Sequence, residues 1–508
     1  MFADGLGAPG RVVLLHSNDL HSRLEQYAKI SSLIAEERAR YGADRVLVLD
    51  AGDHMDRMRK ETEGTGGRVN IALLNEAAVD AVTLGNNEGL SWTRETLDEL
   101  YGACARFPVV CANMVRESDG GRPSWMHTSV LVRKGGITFG ITGATAAFRE
   151  FYRELGWRML DPVEAVAGEV RRLRPAADIV VVLSHLGLPM DRRLAEEIEG
   201  IDLILGGHTH HLLEEPLVIG RTTVLAAGKF GDWLGRVEIG RRADGRIFDI
   251  RASVVPVNGA DERPEAAGLI ARGLAEAEAA LSRVEAVLAS PLEAFEDRES
   301  PLANLLAAAL RRHTGAEIGL VNAGQLLGGL PAGGVTTGRL HAICPSPINP
   351  CRMTLTGRLI RQALEEALLA DWIGRPIRGY GFRGERLGTL AVDGLTIVYD
   401  PDGPPFGKLR EVTAEDGPLE DDRPYTVGTI DMFTFGVGYE SLKLGTDIRL
   451  YLPEFIRDLL AEALADAAFV ADARRSRWIA ASGGEHLQGK PRGHYNKYID
   501  FNRTQRRG

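Results

Sequence analysis

The sequence predicts an α/β chain built from two layered domains. Three observations carry that expectation. Short apolar runs rich in Val, Ile and Leu alternate with amphipathic stretches through the N-terminal half, as strands buried on both faces and their crossover helices do. A Pro-free, Ala/Glu/Leu-rich stretch interrupts the pattern near residue 265, and a second α/β alternation follows it to about residue 478. Polar residues cluster just beyond the ends of the first set of runs, where open α/β sheets bind ligands.

Composition narrows the function classes. The 508 residues carry 60 Lys and Arg against 70 Asp and Glu, a net charge of −10, so no global positive field exists to hold polymeric nucleic acid or an anionic membrane. A hydrophobic fraction of 44% with 26% charged residues is ordinary for a globular protein,. No run of eighteen apolar residues is present, and the start, MFADGLGAPGR, has neither the basic residues nor the apolar run of a secretory leader,. A cytoplasmic location is therefore expected. Four Cys are too few for a disulfide scaffold,.

Taken in order, the expected strands of the first domain, residues 1–258, are 12–15, 46–49, 81–84, 130–132, 137–141, 179–183, 203–205 and 224–227. Helical patterns occupy 27–41, 70–77, 162–173 and 191–199. A helical connector is expected over 259–290, with one long helix at 265–289. The second domain, 291–480, opens after Pro291 and Pro301 and includes amphipathic helices at 359–369 and 453–467. Between Cys344 and Cys351 three Pro shape a loop rather than a redox motif. Residues 481–508 read as a basic, solvated tail.

Eight of the twelve His lie within the first 211 residues. Five strands each release Asp, Asn or His beyond the carboxyl end: Asn18, Asp19 and His21; Asp50 and Asp53; Asn86 and Asn87; His185; then His208 and His210. Two Asp, one Asn and four His offer mixed oxygen and nitrogen donors. Such donors suit Mn, Zn, Co or Fe and exclude a thiolate site. Seven ligands exceed the needs of one tetrahedral ion but suit two divalent ions sharing a bridging carboxylate.

The series Asp-x-His, Gly-Asp, Gly-Asn-x-Glu, a lone His and Gly-His-x-His resembles the calcineurin-like metallophosphoesterases. The stretches Glu299–Leu305, Gly319–Gly324 and Leu355-Thr356-Gly357 are similar to the C-terminal domain of the 5′-nucleotidase family, so the resemblance covers nearly the whole chain. It implies a metallophosphoesterase sandwich domain followed by an α/β substrate domain. It further implies that Asp19, His21, Asp53 and His210 hold one ion, and that Asp53, as bridge, joins Asn86, His185 and His208 on the other. A hydroxide bridging the ions would attack phosphorus in line.

Departures from the family pattern shape the expected substrate. Where the family has His after the ligand Asn, and Asp three positions later, this chain has Asn87 and Leu90. Asn87 can donate a hydrogen bond to a phosphoryl oxygen but cannot act as a general acid. A preference for acidic leaving groups follows, or an acid from His54, His127 or His211. In the second domain the expected substrate contacts are Asn322, which opens a motif lacking the usual Arg, and Phe382 and Arg383 in a Gly-flanked loop. Asp431 stands where a stacking ring is usual, with Phe433 and Phe435 as the nearby rings that could take the role. The catalytic candidates are Asp53 and Asn87. The expected activity is hydrolysis of a phosphate ester or anhydride in a small nucleotide-like metabolite. The alternatives are a 2′,3′-cyclic nucleotide phosphodiesterase, a nucleotide-sugar hydrolase, or a catalytically weak metal- and nucleotide-binding protein.

Overall fold

The computed structural model describes residues 11–241 and 247–481. The first ten residues and the basic tail from residue 482 onward lie outside the described residues.

The strand Arg11–Ser17 shows how alternation builds the first domain. Val13 and Leu15 point one way, into a core shared with helices; Val12 and Leu14 point the other way, into a core between two sheets, as a period of two requires. The first sheet runs, edge to edge, through Ile247–Pro256, Trp233–Arg241, Arg11–Ser17, Val46–Asp50, Ala81–Val82, Val109–Val110 and Met126–His127. The second runs through Leu217–Ile219, Thr222–Ala226, Leu203–Gly206, Ile179–His185, Ile137–Thr145 and Ser129–Lys134. Val181 and Leu183 meet Leu14 and Leu47 between the sheets, while Val180 and Val182 face outward. Helices Leu24–Tyr41 and Arg68–Glu76 cover the outer face of the first sheet. Helices Pro162–Leu173 and Leu188–Glu197 cover that of the second. The result is a helix–sheet–sheet–helix sandwich.

The connector differs from expectation. Its helix spans Pro264–Ala280 and stops there; Val284–Leu288 is a strand paired with Gly333–Thr336 of the second domain. The helix docks on the first domain through small residues. A Cβ on Gly64 would lie 2.5 Å from the Ala277 Cα, and one on Gly273 would lie 2.6 Å from Val69. The helix therefore packs on the first domain rather than standing as a free connector.

The second domain is built on a five-stranded sheet ordered Leu390–Asp393, Ile318–Asn322, Pro424–Ile430, Pro350–Thr356 and Thr446–Leu450. The helix Pro301–Thr314 buries nearly all of its length against this sheet. Cys344 and Cys351 are both buried and free. Burial pushes the Cys344 thiol up to about 12, which leaves it inert,.

The second domain grips one segment of the first, residues 56–63. Arg383 pairs with Asp56 at 2.7 Å, His341 Nε2 donates to the Arg57 carbonyl at 2.8 Å, and Arg457 pairs with Glu63 at 2.9 Å. The Arg57 guanidinium stands 4.4 Å from the Trp92 ring centroid and 4.6 Å from that of Phe455, one ring from each domain.

Candidate metal centre

All seven expected ligands come together at the carboxyl ends of the two sheets. The loops that follow Arg11–Ser17 and Val46–Asp50 are laced by backbone bonds: Asp19 N–H donates to Gly52, His21 N–H to Asp53 and Ser22 N–H to His54, each at 2.9 Å. Tight packing forces unusual backbone. Asp19, His21, Asp53, His208 and His210 all have φ between 49° and 72°, left-handed conformations that cost energy outside glycine. Gly85 must be a glycine, because a Cβ there would collide with the Asp53 carboxylate.

Two overlapping groups of donors result: Asp19, His21 and His210, and Asp19, Asp53 and His185. Asp53 reaches into both, with Oδ2 4.0 Å from His21 Nε2 and Oδ1 3.3 Å from His185 Nε2. His208 Nδ1 lies 2.8 Å from Asn86 Oδ1, and the His208 backbone N–H donates to both Asp19 oxygens at 3.0–3.1 Å.

These residues fit divalent cations on three counts. Asp19 and Asp53 are buried carboxylates that face His rings and no Arg or Lys among the described residues; buried charge needs a partner or a metal. His185 is wholly buried; its Nδ1 donates to the Ala51 carbonyl, 2.8 Å away, while its Nε2 has no hydrogen-bond partner and faces Asp53 Oδ1 at 3.3 Å. The Nε2 atoms of His21 and His210 face each other at 3.0 Å, a contact that one cation satisfies from both rings.

Glu88 supports the centre from behind. Its carboxylate accepts the backbone N–H groups of Asp53, Met55 and Gly85 at 2.7–3.0 Å. Burial, with the Asp53 charge adding to it, raises its pKa to about 8,. Asn87 is spent on the same scaffold. Its N–H donates to Asp53 Oδ1 at 2.7 Å, and its amide donates to the Met55 carbonyl and lies 3.0 Å from His21 Nδ1. Leu90 packs into the core of the first domain. Of the alternative acids, His54 is buried with neither ring nitrogen bonded, whereas His127 and His211 are exposed.

The expected substrate contacts divide by burial. Asn322 is fully buried, donating to the Leu387 carbonyl and accepting from Gln325. Phe433 is fully buried against Tyr439, and Phe382 is 4% exposed within the second domain's core. Asp431 is buried too, bonded with Asn349 through backbone and side chain. Phe435 is 42% exposed, stacked on Phe151 of the first domain at 5.6 Å and 13°. The exposed ring of the Gly-flanked loop is Tyr380, 55% exposed and 5.7 Å from Phe435. Arg383 holds Asp56, whose Oδ2 lies 3.7 Å from the Nδ1 of His21.

Three residues at the site escaped the sequence reading: Phe148, Phe151 and Asp56. The Phe148 ring sits 5.9 Å from His208 and 6.4 Å from Phe151, so a row of rings leads from His208 to Tyr380. The signal was present, because both Phe follow a strand, Ile137–Thr145, in the same sheet as the His185 strand.

Comparisons with known proteins agree with this architecture. Residues 12–212 match the family model of the calcineurin-like phosphoesterases, and residues 282–443 that of the 5′-nucleotidase C-terminal domain. The chain is 36% identical over 461 residues to YunD of Bacillus subtilis (strain 168), an uncharacterized metallophosphoesterase. That match spans 89% of this chain and 98% of YunD. Human 5′-nucleotidase is 27% identical over 288 residues, 49% of this chain and 48% of its own. Among solved structures, the NAD nucleotidase of Haemophilus influenzae superposes with a TM-score of 0.64 at 17% identity, covering 93% of this chain and 97% of that one. A putative 5′-nucleotidase of Staphylococcus aureus gives 0.63 at 16%, covering 92% and 99%. These two establish likeness of fold.

Proposed function

The chain belongs to the calcineurin-like metallophosphoesterases that carry a 5′-nucleotidase C-terminal domain, and from that premise we propose that it hydrolyses phosphate esters or anhydrides of small nucleotide-like metabolites with an acidic leaving group. It is a phosphoester hydrolase; the substrate class and the two-ion site are our reading. The observation that supports it most is the convergence of the buried His185 Nε2 with the carboxylates of Asp19 and Asp53, which face no Arg or Lys among the described residues.

In this reading Asp19, His21, Asp53 and His210 hold one divalent ion, and Asp53, Asn86, His185 and His208 the other. Bound there, the ions polarise phosphoryl oxygens and lower the pKa of water. The chain's own residues supply position and dryness. Ala51 orients the His185 ring, Glu88 fixes the Asp53 backbone, and Asn87, its amide committed to Met55, offers no proton to a departing alkoxide,. Phe435 and Tyr380 offer ring faces to a planar moiety of the substrate, with Phe151 filling that stack in this conformation. With Asn rather than an acid at position 87, leaving groups that depart unprotonated are favoured.

The test is a hydrolysis panel with Mn²⁺, wild type against Asp53→Asn. It covers p-nitrophenyl phosphate, its bis-ester, nucleoside 5′-monophosphates, 2′,3′-cyclic nucleotides and diphosphate-containing nucleotides. Wild type turns over the substrates with acidic leaving groups first, and the variant loses at least ~10²-fold. Two equivalents of bound metal with no turnover of any compound would refute the reading.

A further inference from the structure

At the His21 edge of the centre, the loop after Thr222–Ala226 presents Lys229 and Phe230. Phe230 adopts φ 65°, a rare conformation for an aromatic residue,, and is held there by its N–H donating to the Asp19 carbonyl at 2.7 Å. Its ring lies 5.8 Å from the His21 ring. Two cations converge on it. The Arg23 guanidinium carbon is 4.8 Å from the ring centroid and the Lys229 ammonium 4.6 Å.

Neither cation has a carboxylate partner or a side-chain hydrogen bond among the described residues. By contrast, Arg57, Arg59 and Arg383, on the segment after Asp53 or against it, are all paired with carboxylates. The acids nearest His21 are otherwise engaged: Asp19 and Asp53 in the donor groups, Asp56 by Arg383. Two like charges drawn to one ring repel each other unless an anion lies between or beside them. The ring holds both through its negative face without neutralising either.

We propose that Arg23 and Lys229 form a subsite for a second phosphate group of the substrate, next to the one under attack. A guanidinium fork and a mobile ammonium are the two side chains best suited to phosphate oxygens, one by geometry and the other as a point charge. The strained Phe230 backbone fixes the ring that both cations approach. This deepens the phosphoesterase reading and rests on it: the substrate carries a diphosphate, or two phosphates a few bonds apart, rather than a single phosphomonoester.

The experiment uses the full chain with Mn²⁺ and calorimetric titration of two probes, inorganic diphosphate and orthophosphate. The ratio of their affinities in wild type falls about tenfold in Arg23→Gln/Lys229→Gln, and Lys229→Arg, which keeps the charge, keeps the ratio. An unchanged ratio in the double variant overturns the proposal, as does an equal loss for both anions. The KM ratio of a nucleoside 5′-diphosphate to p-nitrophenyl phosphate moves with the affinity ratio. A wild type that discriminates the two anions through these residues but hydrolyses nothing refutes the phosphoesterase reading alone. Hydrolysis without discrimination refutes the subsite alone.

Discussion

At the scale of single residues, Asn87 is where the proposed leaving-group preference is most directly tested. Its amide is committed to Met55 and sits 3.0 Å from His21 Nδ1, so it orders the centre without offering a proton. Its neighbour on the helix, Leu90, is partly buried against the core and leaves no carboxylate at that position to orient a replacement His. Installing both, as Asn87→His with Leu90→Asp, is expected to flatten the dependence of kcat on leaving-group acidity across a series of aryl phosphates. The gain is up to ~10² for the least acidic member and small for the most acidic. Parallel slopes for the two proteins would show that Asn87 does not set the proposed preference. The clustering of the seven candidate donors was legible in the sequence because each follows an apolar run by a few residues, and strand ends converge wherever sheets form. Asn322 and Phe433 were not, because whether a polar or aromatic side chain is exposed depends on what packs over it. The sequence reading put Phe382 at the surface; the loop turns over at Tyr380, with φ 54°, and presents Tyr380 instead.

At the scale of elements, the helix Pro264–Ala280 was legible as a helix but not in its end or its allegiance. Ala, Glu and Leu favour helix through residue 289 equally well, yet Val284–Leu288 finds a strand partner in Gly333–Thr336. Long-range pairing overrode local propensity. The helix is seated by backbone-close contacts, of which Gly64 against Ala277 is the tightest. Gly64→Val forces atoms into that contact, and a loss of about 1–3 kcal/mol is expected by urea denaturation. Gly259→Val, at an open position, serves as the control and is expected to fall within ~0.5 kcal/mol of wild type.

At the scale of the whole molecule, the two domains meet on the segment that follows the bridging candidate Asp53. Glu63 is the electrostatic hub. Burial would raise its carboxyl, but the guanidiniums of Arg457 and Arg57, one from each domain, outweigh burial and hold it at about 2, below its ordinary 4.5,. A carboxyl depressed in the fold stabilises it fully above the unfolded value and loses that contribution as pH falls through the folded one. The stability difference between wild type and Glu63→Gln is therefore expected to be constant above about pH 5 and to shrink steadily from there toward pH 2. Denaturation midpoints at pH 7, 5, 4 and 3 check it; a difference independent of pH would place the contribution in packing rather than charge.

The sequence alone determined the α/β class, the family and the order of the two domains, and it picked out the candidate donors with Asn87 and Leu90 beside them. Each of these is written in residue type and local spacing. Only the tertiary structure decided which of the second domain's rings face outward, that the connector helix belongs to the first domain, and that Arg383 reaches His21 through Asp56. Those features depend on contacts between residues hundreds of positions apart, such as Asp56 with Arg383 and Phe151 with Phe435. Periodicity says which face of an element is apolar. It does not say which other element will cover that face.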